Sequence, residues 1–349
     1  MSSSEEKKKK KKDKKKEQEQ EEVTEESKKK YLFDRYGFLL PPEEEIDEKK
    51  EQKKRKKEIE SIDLWREMID NWKKFSKNNK LLKKRIYAGI PDRYRGIAWR
   101  LITGSDLLQK AKEGEVEYGD LHISNENPES ESVIVKDINR TFPDHENYKS
   151  GDEQKRLYRV LKAWSIYDQE VGYCQGMAFI AGLLLFYMEE QEAFWTFVVL
   201  MKDFHMSALF REGFPLLQQQ LFQWDKVLKK YATKLYKHFQ NENIMPSMYA
   251  SSWFLTIFAR VLPFPLVLRI WDIYLYEGMI FIFRISLAIL KVNQKKLLSL
   301  PFEEIVLYFK DIETKIGDWE KLLKSAGSFN ISYKLIEKWA DEWCLQNQK

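Results

Sequence analysis

Two short segments of the sequence carry side chains that could act together on a phosphate group. Residues 134–141 include Arg140, and residues 171–177 include Gln175. Arginine stays charged at any working pH, and its planar fork matches phosphate oxygens. Glutamine does not titrate, and its amide offers both an acceptor and donors with which to orient a water molecule. Phosphoryl transfer depends mainly on positioning and charge stabilisation, so these two residue types suit it if the fold brings them together.

The order and flanks of these segments resemble the two signature segments of the TBC domain, the catalytic domain of GTPase-activating proteins for Rab GTPases. The first signature has the pattern I-x-x-D-x-x-R, which Ile134, Asp137 and Arg140 match here. The second has the pattern Y-x-Q, which Tyr173 and Gln175 match. The resemblance covers most of the chain beyond its first thirty residues and is less specific outside the two signatures.

The resemblance implies a role for each of these side chains. Arg140 would be an arginine finger, and Asp137 would orient it. Gln175 would do the work usually left to the glutamine of the GTPase, and Tyr173 would contact the GTPase beside it. The expected partner is a Rab family GTPase in its GTP-bound form, in vesicle trafficking. GTP and Mg²⁺ would arrive on that partner, so the chain would need no cofactor or metal of its own, and hydrolysis would occur on the partner.

Plainer interpretations exist for both segments. Arg140 could complement a helix dipole and pair with Asp137 three residues earlier. Gln175 could be a solvated loop residue between glycines. At the level of function, the chain could bind a Rab or another partner without stimulating it. It could also be a scaffold whose charged N-terminus recruits membrane or cytoskeleton.

The composition favours a helical protein and excludes several classes. Of 349 residues, 43% are hydrophobic, whereas only 14 are Gly and 10 are Pro, too few for a turn-rich β-sandwich. The net charge is +5, and the first thirty residues, with 12 Lys and 9 acidic residues, account for most of it. The remainder is nearly balanced, unlike a nucleic-acid-binding domain with its clustered basic face. Neither a parallel β pattern nor a phosphate-cradling glycine loop is present.

Cysteine usage and hydropathy indicate a cytoplasmic setting. Cys174 and Cys344 are too few and too isolated for a metal site or a disulfide framework, which suggests a reducing compartment. The basic N-terminus has no apolar segment behind it, so no signal peptide is expected. The longest apolar run, residues 178–188, is too short to span a bilayer and is predicted to be a buried helix.

The sequence divides into three regions. Residues 1–30 alternate lysine and acidic blocks and are predicted to be a disordered charged tail. Residues 31–80 form an N-terminal extension with an amphipathic helix. Residues 81–349 are predicted to be an all-α, two-lobed TBC domain, with lobes over about 81–205 and 206–349. The tail would be solvated or would make a weak electrostatic contact with acidic lipid, which would place the chain peripherally at endomembranes.

Apolar spacing predicts the elements that position the two segments. We predict amphipathic helices over residues 61–75, 152–167 and 216–240. The second of these is expected to turn four side chains inward, namely Leu157, Val160, Leu161 and Trp164. Asp137 and Arg140 are predicted to share a helix that Pro143 closes. Arg95 and Trp99 belong to a segment that resembles the start of the TBC domain; Trp99 should be buried and Arg95 structural. The aromatic side chains of residues 31–42 are expected to pack on the domain.

Overall fold

The computed structural model describes residues 33–39, 48–124, 126–149 and 151–347. Within these ranges the protein is helical and forms no strand, only isolated bridges that pair Phe33 with Leu39 and Phe38 with His145. None of the helices in these ranges combines the length and apolar character needed to cross a membrane. The all-α prediction is confirmed. The predicted tail, residues 1–30, lies outside the described residues, and the lobe boundaries stay a prediction.

The helices follow one another closely along the chain. They are α1 (Glu48–Asp70), α2 (Trp72–Phe75), α3 (Asn79–Ala88), α4 (Asp92–Thr103), α5 (Ser105–Lys112), α6 (Tyr118–Ile123), α7 (Pro128–Ile138), α8 (Glu146–Lys149), α9 (Asp152–Tyr167), α10 (Met177–Leu185), α11 (Glu190–Lys202), α12 (Ser207–Phe210), α13 (Pro215–Tyr231), α14 (Thr233–Asn241), α15 (Ala250–Leu255), α16 (Phe264–Glu277), α17 (Met279–Val292), α18 (Gln294–Leu297), α19 (Phe302–Lys310), α20 (Trp319–Ser328) and α21 (Tyr333–Asn347). Two short 3₁₀ helices span Pro246–Met248 and Ile312–Lys315.

The centre of the first half of the chain is built on α9, α10 and α11. The inward face predicted for residues 152–167 is confirmed, because its four apolar side chains are all fully buried. Every residue of α10 is buried, which explains why its sequence is apolar all round rather than on one stripe. A capping box at the start of α11 joins Glu189 to Glu192 and satisfies two backbone N–H groups of the first turn.

The helix predicted over residues 61–75 is longer and interrupted. It begins as part of α1 and breaks at Asn71, after which α2 continues. Trp65 and Met68 supply its fully buried face, and the indole Nε1 of Trp65 donates to the carbonyl of Gly89 at 3.0 Å. This bond anchors the extension to the turn that precedes α4.

The prediction of one helix over residues 216–240 is wrong. Two helices, α13 and α14, meet at Ala232, whose backbone leaves the helical region at φ −136° and ψ 46°. The apolar residues continue at helical spacing through the break, and Leu235 and Phe239 beyond it are buried. Periodicity therefore could not show the change of direction that lets α14 reach the core.

A buried carboxylate joins the first half of the chain to α16. Asp272 is fully buried and accepts hydrogen bonds from the Nε of Arg95 at 3.1 Å and the Nε1 of Trp99 at 2.9 Å. Burial alone would lower the pKa of Arg95, but the charge of Asp272 and its hydrogen bond, together with Tyr187 and Tyr36, outweigh it and the pKa is raised. The predictions that Trp99 is buried and that Arg95 is structural are both confirmed.

Candidate functional site

One buried carboxylate, Asp137 near the end of α7, is bonded to both predicted segments. Only 1% of its side chain is exposed. One oxygen, Oδ1, accepts a hydrogen bond from the Nε of Arg140. The other, Oδ2, accepts from the hydroxyl of Tyr173 and, at 3.2 Å, from the backbone N–H of Gly176. Gln175 lies between these last two residues in the chain, so Asp137 joins the arginine segment to the glutamine segment.

Arg140 lies beyond the helix rather than on it. Helix α7 ends at Ile138, before Pro143 could close it, and the backbone N–H of Arg140 bonds the carbonyl of Asp137 at 3.1 Å in the turn that follows. Its side chain is 49% exposed. Asp137 holds the Nε, and among the described residues no side chain or backbone group accepts from the terminal amino groups. These amino groups therefore face solvent, while the turn that carries them is held by the bonds from Arg140 to Asp137.

Gln175 occupies the loop between α9 and α10, and its side chain is exposed. The loop is held on its buried side, since the indole Nε1 of the buried Trp164 donates to the carbonyl of Gly172 at 2.9 Å. The hydroxyl of Ser130, on α7, accepts from the backbone N–H of Tyr173 at 3.3 Å. An exposed amide is thus carried on a loop whose neighbouring backbone is bonded to side chains of α9 and α7.

Gly176 supplies the backbone conformation that ends this loop. Its φ of +106° lies in the region that side-chain-bearing residues rarely adopt. This conformation turns the N–H of Gly176 towards Asp137 and lets α10 begin at the next residue.

Cys174 is half-buried, and burial raises the pKa of its thiol, which disfavours the nucleophilic thiolate.

Tyr173 is buried rather than displayed. Only 8% of it is exposed, and its hydroxyl points at Asp137. Burial, followed by the hydrogen bond to Asp137, raises the pKa of Tyr173, so it remains a neutral donor. This placement favours a role for Tyr173 in orienting the carboxylate of Asp137, rather than the contact with a GTPase expected from the resemblance.

The backbone directly after Arg140 is strained and tightly enclosed. Phe142 has a φ of +48°, a conformation that costs about 1–3 kcal/mol for a residue with a bulky side chain. The centroid of its ring lies within 6 Å of the centroids of four other aromatic rings, those of Phe38, Tyr148, Phe179 and Phe186. The hydroxyl of Thr141 donates to the carbonyl of Asp137 at 2.9 Å. The sequence pattern indicated Arg140 but not this enclosure, and its one sign in the sequence was the aromatic character of residues 31–42.

No metal site accompanies this arrangement in the part of the chain that the structure describes. No group of three or more His, Cys, Asp or Glu side chains there is placed to hold a metal ion. The site presents the guanidinium of Arg140 and the carboxamide of Gln175 to solvent.

Comparison with known proteins identifies the family. The model of the Rab-GTPase-TBC domain matches residues 92–298, and the chain belongs to that family. A human relative, the ecotropic viral integration site 5 protein homolog, is 36% identical over 291 residues, which are 82% of this chain and 35% of the relative. The Caenorhabditis elegans Rab GTPase-activating protein eat-17 is 38% identical over 292 residues, 82% of this chain and 32% of that protein. The chain thus spans about a third of the length of these relatives.

Solved structures agree with the fold. The Chlamydomonas flagellar RabGAP TBC domain superposes with a TM-score of 0.70 at 27% identity and covers 85% of this chain and 100% of that domain. The Ypt/Rab-GAP domain of Gyp1p superposes with a TM-score of 0.60 at 23% identity, over 76% of this chain and 93% of that one, which supports the fold alone. The resemblance inferred from the two signatures is confirmed at the level of family and fold.

Proposed function

We propose that this chain is a GTPase-activating protein for a Rab-type small GTPase and that it supplies Arg140 and Gln175 to the GTP-bound partner. One observation carries the proposal: Asp137 bonds the arginine turn and the glutamine loop to each other while both side chains stay exposed. Two relatives from Caenorhabditis elegans bear the name Rab GTPase-activating protein, which supports the choice of partner.

Arg140 would stabilise the negative charge that accumulates on the phosphate oxygens in the transition state. Asp137 holds only the Nε, which leaves the terminal amino groups to reach the phosphate oxygens. Because the turn is bonded in advance, the guanidinium would lose little freedom on docking. An arginine finger supplied by a partner is worth about 10³–10⁵ in rate, or roughly 4–7 kcal/mol.

Gln175 would orient the water that attacks the γ-phosphate. Its amide can accept from the water and donate to a phosphate oxygen, and it does so at any working pH. Two residues that flank Gln175 are bonded to Asp137: Tyr173 through its hydroxyl and Gly176 through its backbone N–H. GTP and Mg²⁺ would come with the partner, and all chemistry would take place in its nucleotide pocket.

Single-turnover GTP hydrolysis across a panel of Rab GTPases tests the proposal. At least one Rab should be stimulated, and Arg140→Ala should lower that stimulation by about 10³-fold or more. Gln175→Ala should also lower it strongly. Arg66→Ala and Gln346→Ala remove the same side-chain types from exposed positions on α1 and α21 and should leave stimulation unchanged. Stimulation that survives Arg140→Ala would contradict the assignment of the finger.

A binding measurement separates this function from that of a passive binding module. Under the proposal, Arg140→Ala abolishes stimulation but leaves much of the affinity for a GTP-loaded Rab, since the finger acts mainly in the transition state. A wild-type chain that binds a GTP-loaded Rab tightly and releases no phosphate would favour the module instead.

A further inference from the structure

The segment of residues 33–39, which we name the N-terminal turn, lies ahead of the residues that the family model matches, 92–298. Its shape is set locally. Asp34 accepts hydrogen bonds through Oδ1 from the backbone N–H groups of Tyr36 at 2.8 Å and Phe38 at 2.9 Å. Gly37, at φ +87°, completes the reversal. The segment is therefore a locally hydrogen-bonded turn rather than an extended strand.

The N-terminal turn is anchored through Arg35 to α1 of the extension and to α4 of the domain. The guanidinium of Arg35 donates through Nη2 to Glu58 on α1 at 2.9 Å and to Asp92 at the start of α4 at 2.5 Å. Glu58 in turn accepts from the backbone N–H of Asp92 at 2.8 Å. One side of the turn is thus fixed to the body of the domain, independently of the arginine segment.

The opposite side of the N-terminal turn contacts the residues that follow Arg140, here named the finger loop (residues 139–146). Backbone N–H groups donate in both directions, from Leu39 to the carbonyl of Asp144 and from Glu146 to the carbonyl of Gly37, each at 2.9 Å. The Nε2 of His145 lies 2.7 Å from the carbonyl oxygen of Tyr36. The last three residues of the finger loop, 144–146, are therefore bonded to the turn through backbone groups as well as through the His145 side chain.

Phe38 connects the turn to the strained point of the finger loop. Its ring centroid lies 5.9 Å from that of Phe142 and 4.8 Å from that of His145, and 4.6 Å from that of Phe264 at the start of α16. A φ of +48° at Phe142 persists only where the surroundings enforce it. Loss of the Phe38 ring would remove one of the aromatic contacts that enclose Phe142, which lies two residues after Arg140 in the chain.

We propose that the N-terminal turn is a positioning element for Arg140, acting through Phe38 and the finger loop. The inference rests on the proposed function, because it concerns the placement of the arginine finger. In its absence the finger loop would relax towards ordinary backbone angles, and the guanidinium would lose its fixed approach. A displacement of about 1 Å at a reacting group can cost as much as about 10²-fold in rate.

Hydrogen exchange tests the positioning without any GTPase. We expect amide exchange in peptides that cover residues 139–146 to accelerate by about tenfold or more in Phe38→Ala. The matched control, Phe329→Ala, removes another half-buried aromatic residue, one that follows α20, and should leave exchange in the finger loop unchanged. Unchanged exchange there in a folded Phe38→Ala chain would overturn the proposal. Should Phe38→Ala not fold, Phe38→Val removes the ring but keeps a branched apolar side chain, and the same comparison is made with that variant.

Hydrolysis assays on a responsive Rab test the consequence. At a saturating concentration of the chain, Phe38→Ala should lower the stimulated rate by about 10- to 100-fold. The concentration of chain that gives half-maximal stimulation should stay within about threefold of the wild-type value. Phe38→Leu should recover most of the loss, and Phe329→Ala should show none of it. Equal losses in Phe38→Ala and Phe329→Ala would reduce the turn to a general stabilising role. If the wild-type chain stimulates no Rab, the proposed function fails, and the exchange experiment still decides whether the turn holds the finger loop.

Discussion

The hydroxyl of Tyr173 donates a hydrogen bond to the same buried carboxylate, Asp137, that pairs with Arg140. The geometry of the glutamine loop is therefore not independent of that of the arginine turn. A carboxylate accepts several hydrogen bonds when ionised, and here each one comes from a different part of the site. Asp137 thus determines the relative placement of the two exposed groups.

The bond from Tyr173 can be removed without changing the size of the ring. Tyr173→Phe leaves Oδ2 of Asp137 with only the N–H of Gly176 and should lower the free energy of unfolding by about 1.5–3 kcal/mol, the range for bonds to charged groups. Stimulation of a responsive Rab should fall as well, by about tenfold. Urea unfolding and single-turnover hydrolysis measure the two effects.

Tyr158→Phe is the control for that change, because its hydroxyl bonds another carboxylate, Glu131, near solvent. Water can replace this bond, so its loss should cost less stability. Equal losses in the two variants would mean that the buried position of Tyr173 adds nothing.

Gly176 offers a test of the loop backbone. Gly176→Ala places a side chain at a φ of +106° and should cost about 1–3 kcal/mol of stability, together with a clear loss of stimulation. Gly119→Ala, within α6 and with open space around it, should be neutral or slightly stabilising. A Gly176→Ala chain with wild-type stimulation would show that Gln175 needs no fixed backbone.

Asp272 tests the structural role of Arg95. Asp272→Asn removes the charge that compensates a buried guanidinium, and we expect a loss of about 3–5 kcal/mol in the free energy of unfolding. Asp341→Asn, exposed on α21, should change it little. If Asp272→Asn is tolerated as well as Asp341→Asn, the buried network does not hold α4 to α16.

His145 should make stability depend on pH. Burial lowers its pKa below the ordinary value of about 6.5. The hydrogen bond to the carbonyl of Tyr36 and the nearby Asp34, Glu153 and Glu146 offset this lowering only in part. The unfolded chain therefore binds this proton more readily than the folded chain, so the contribution is present above about pH 6.5 and is lost as the pH falls below it.

The measurement is the change in unfolding free energy between pH 7.5 and 5.5, compared for the wild type and His145→Gln. The wild type should lose more unfolding free energy on acidification, because only its folded state resists protonation of His145. The contributions of the carboxyl groups are common to both chains and cancel in the comparison. His205→Gln, at an exposed position, should behave like the wild type. A His145→Gln chain with the same pH dependence as the wild type would contradict the expected shift.

The sequence predicted the helices better than it predicted the contacts between them. The apolar spacing of residues 152–167 repeats over four turns, and one uninterrupted helix, α9, forms there with the expected face buried. The break at Ala232 was missed because the apolar pattern continues across it. Short-range patterns report which side of a helix faces the core, and they carry no sign of a single residue that changes its direction.

The site shows the same limit. Pattern and family resemblance singled out Arg140, Gln175 and Asp137, because residue type and order are local features. The end of α7 before Arg140 and the left-handed backbone of Phe142 depend on contacts with residues far away in the chain. The bonds from the N-terminal turn to the finger loop join segments separated by most of the first half of the chain. Such contacts require the folded structure.

The most direct test of the central claim uses a responsive Rab whose own catalytic glutamine has been replaced by leucine. If Gln175 supplies the amide, wild-type chain should still stimulate hydrolysis on this Rab, and Gln175→Ala should lower that stimulation by about 10²-fold or more. Full stimulation by Gln175→Ala, or none by the wild-type chain, would show that the carboxamide does not come from this protein.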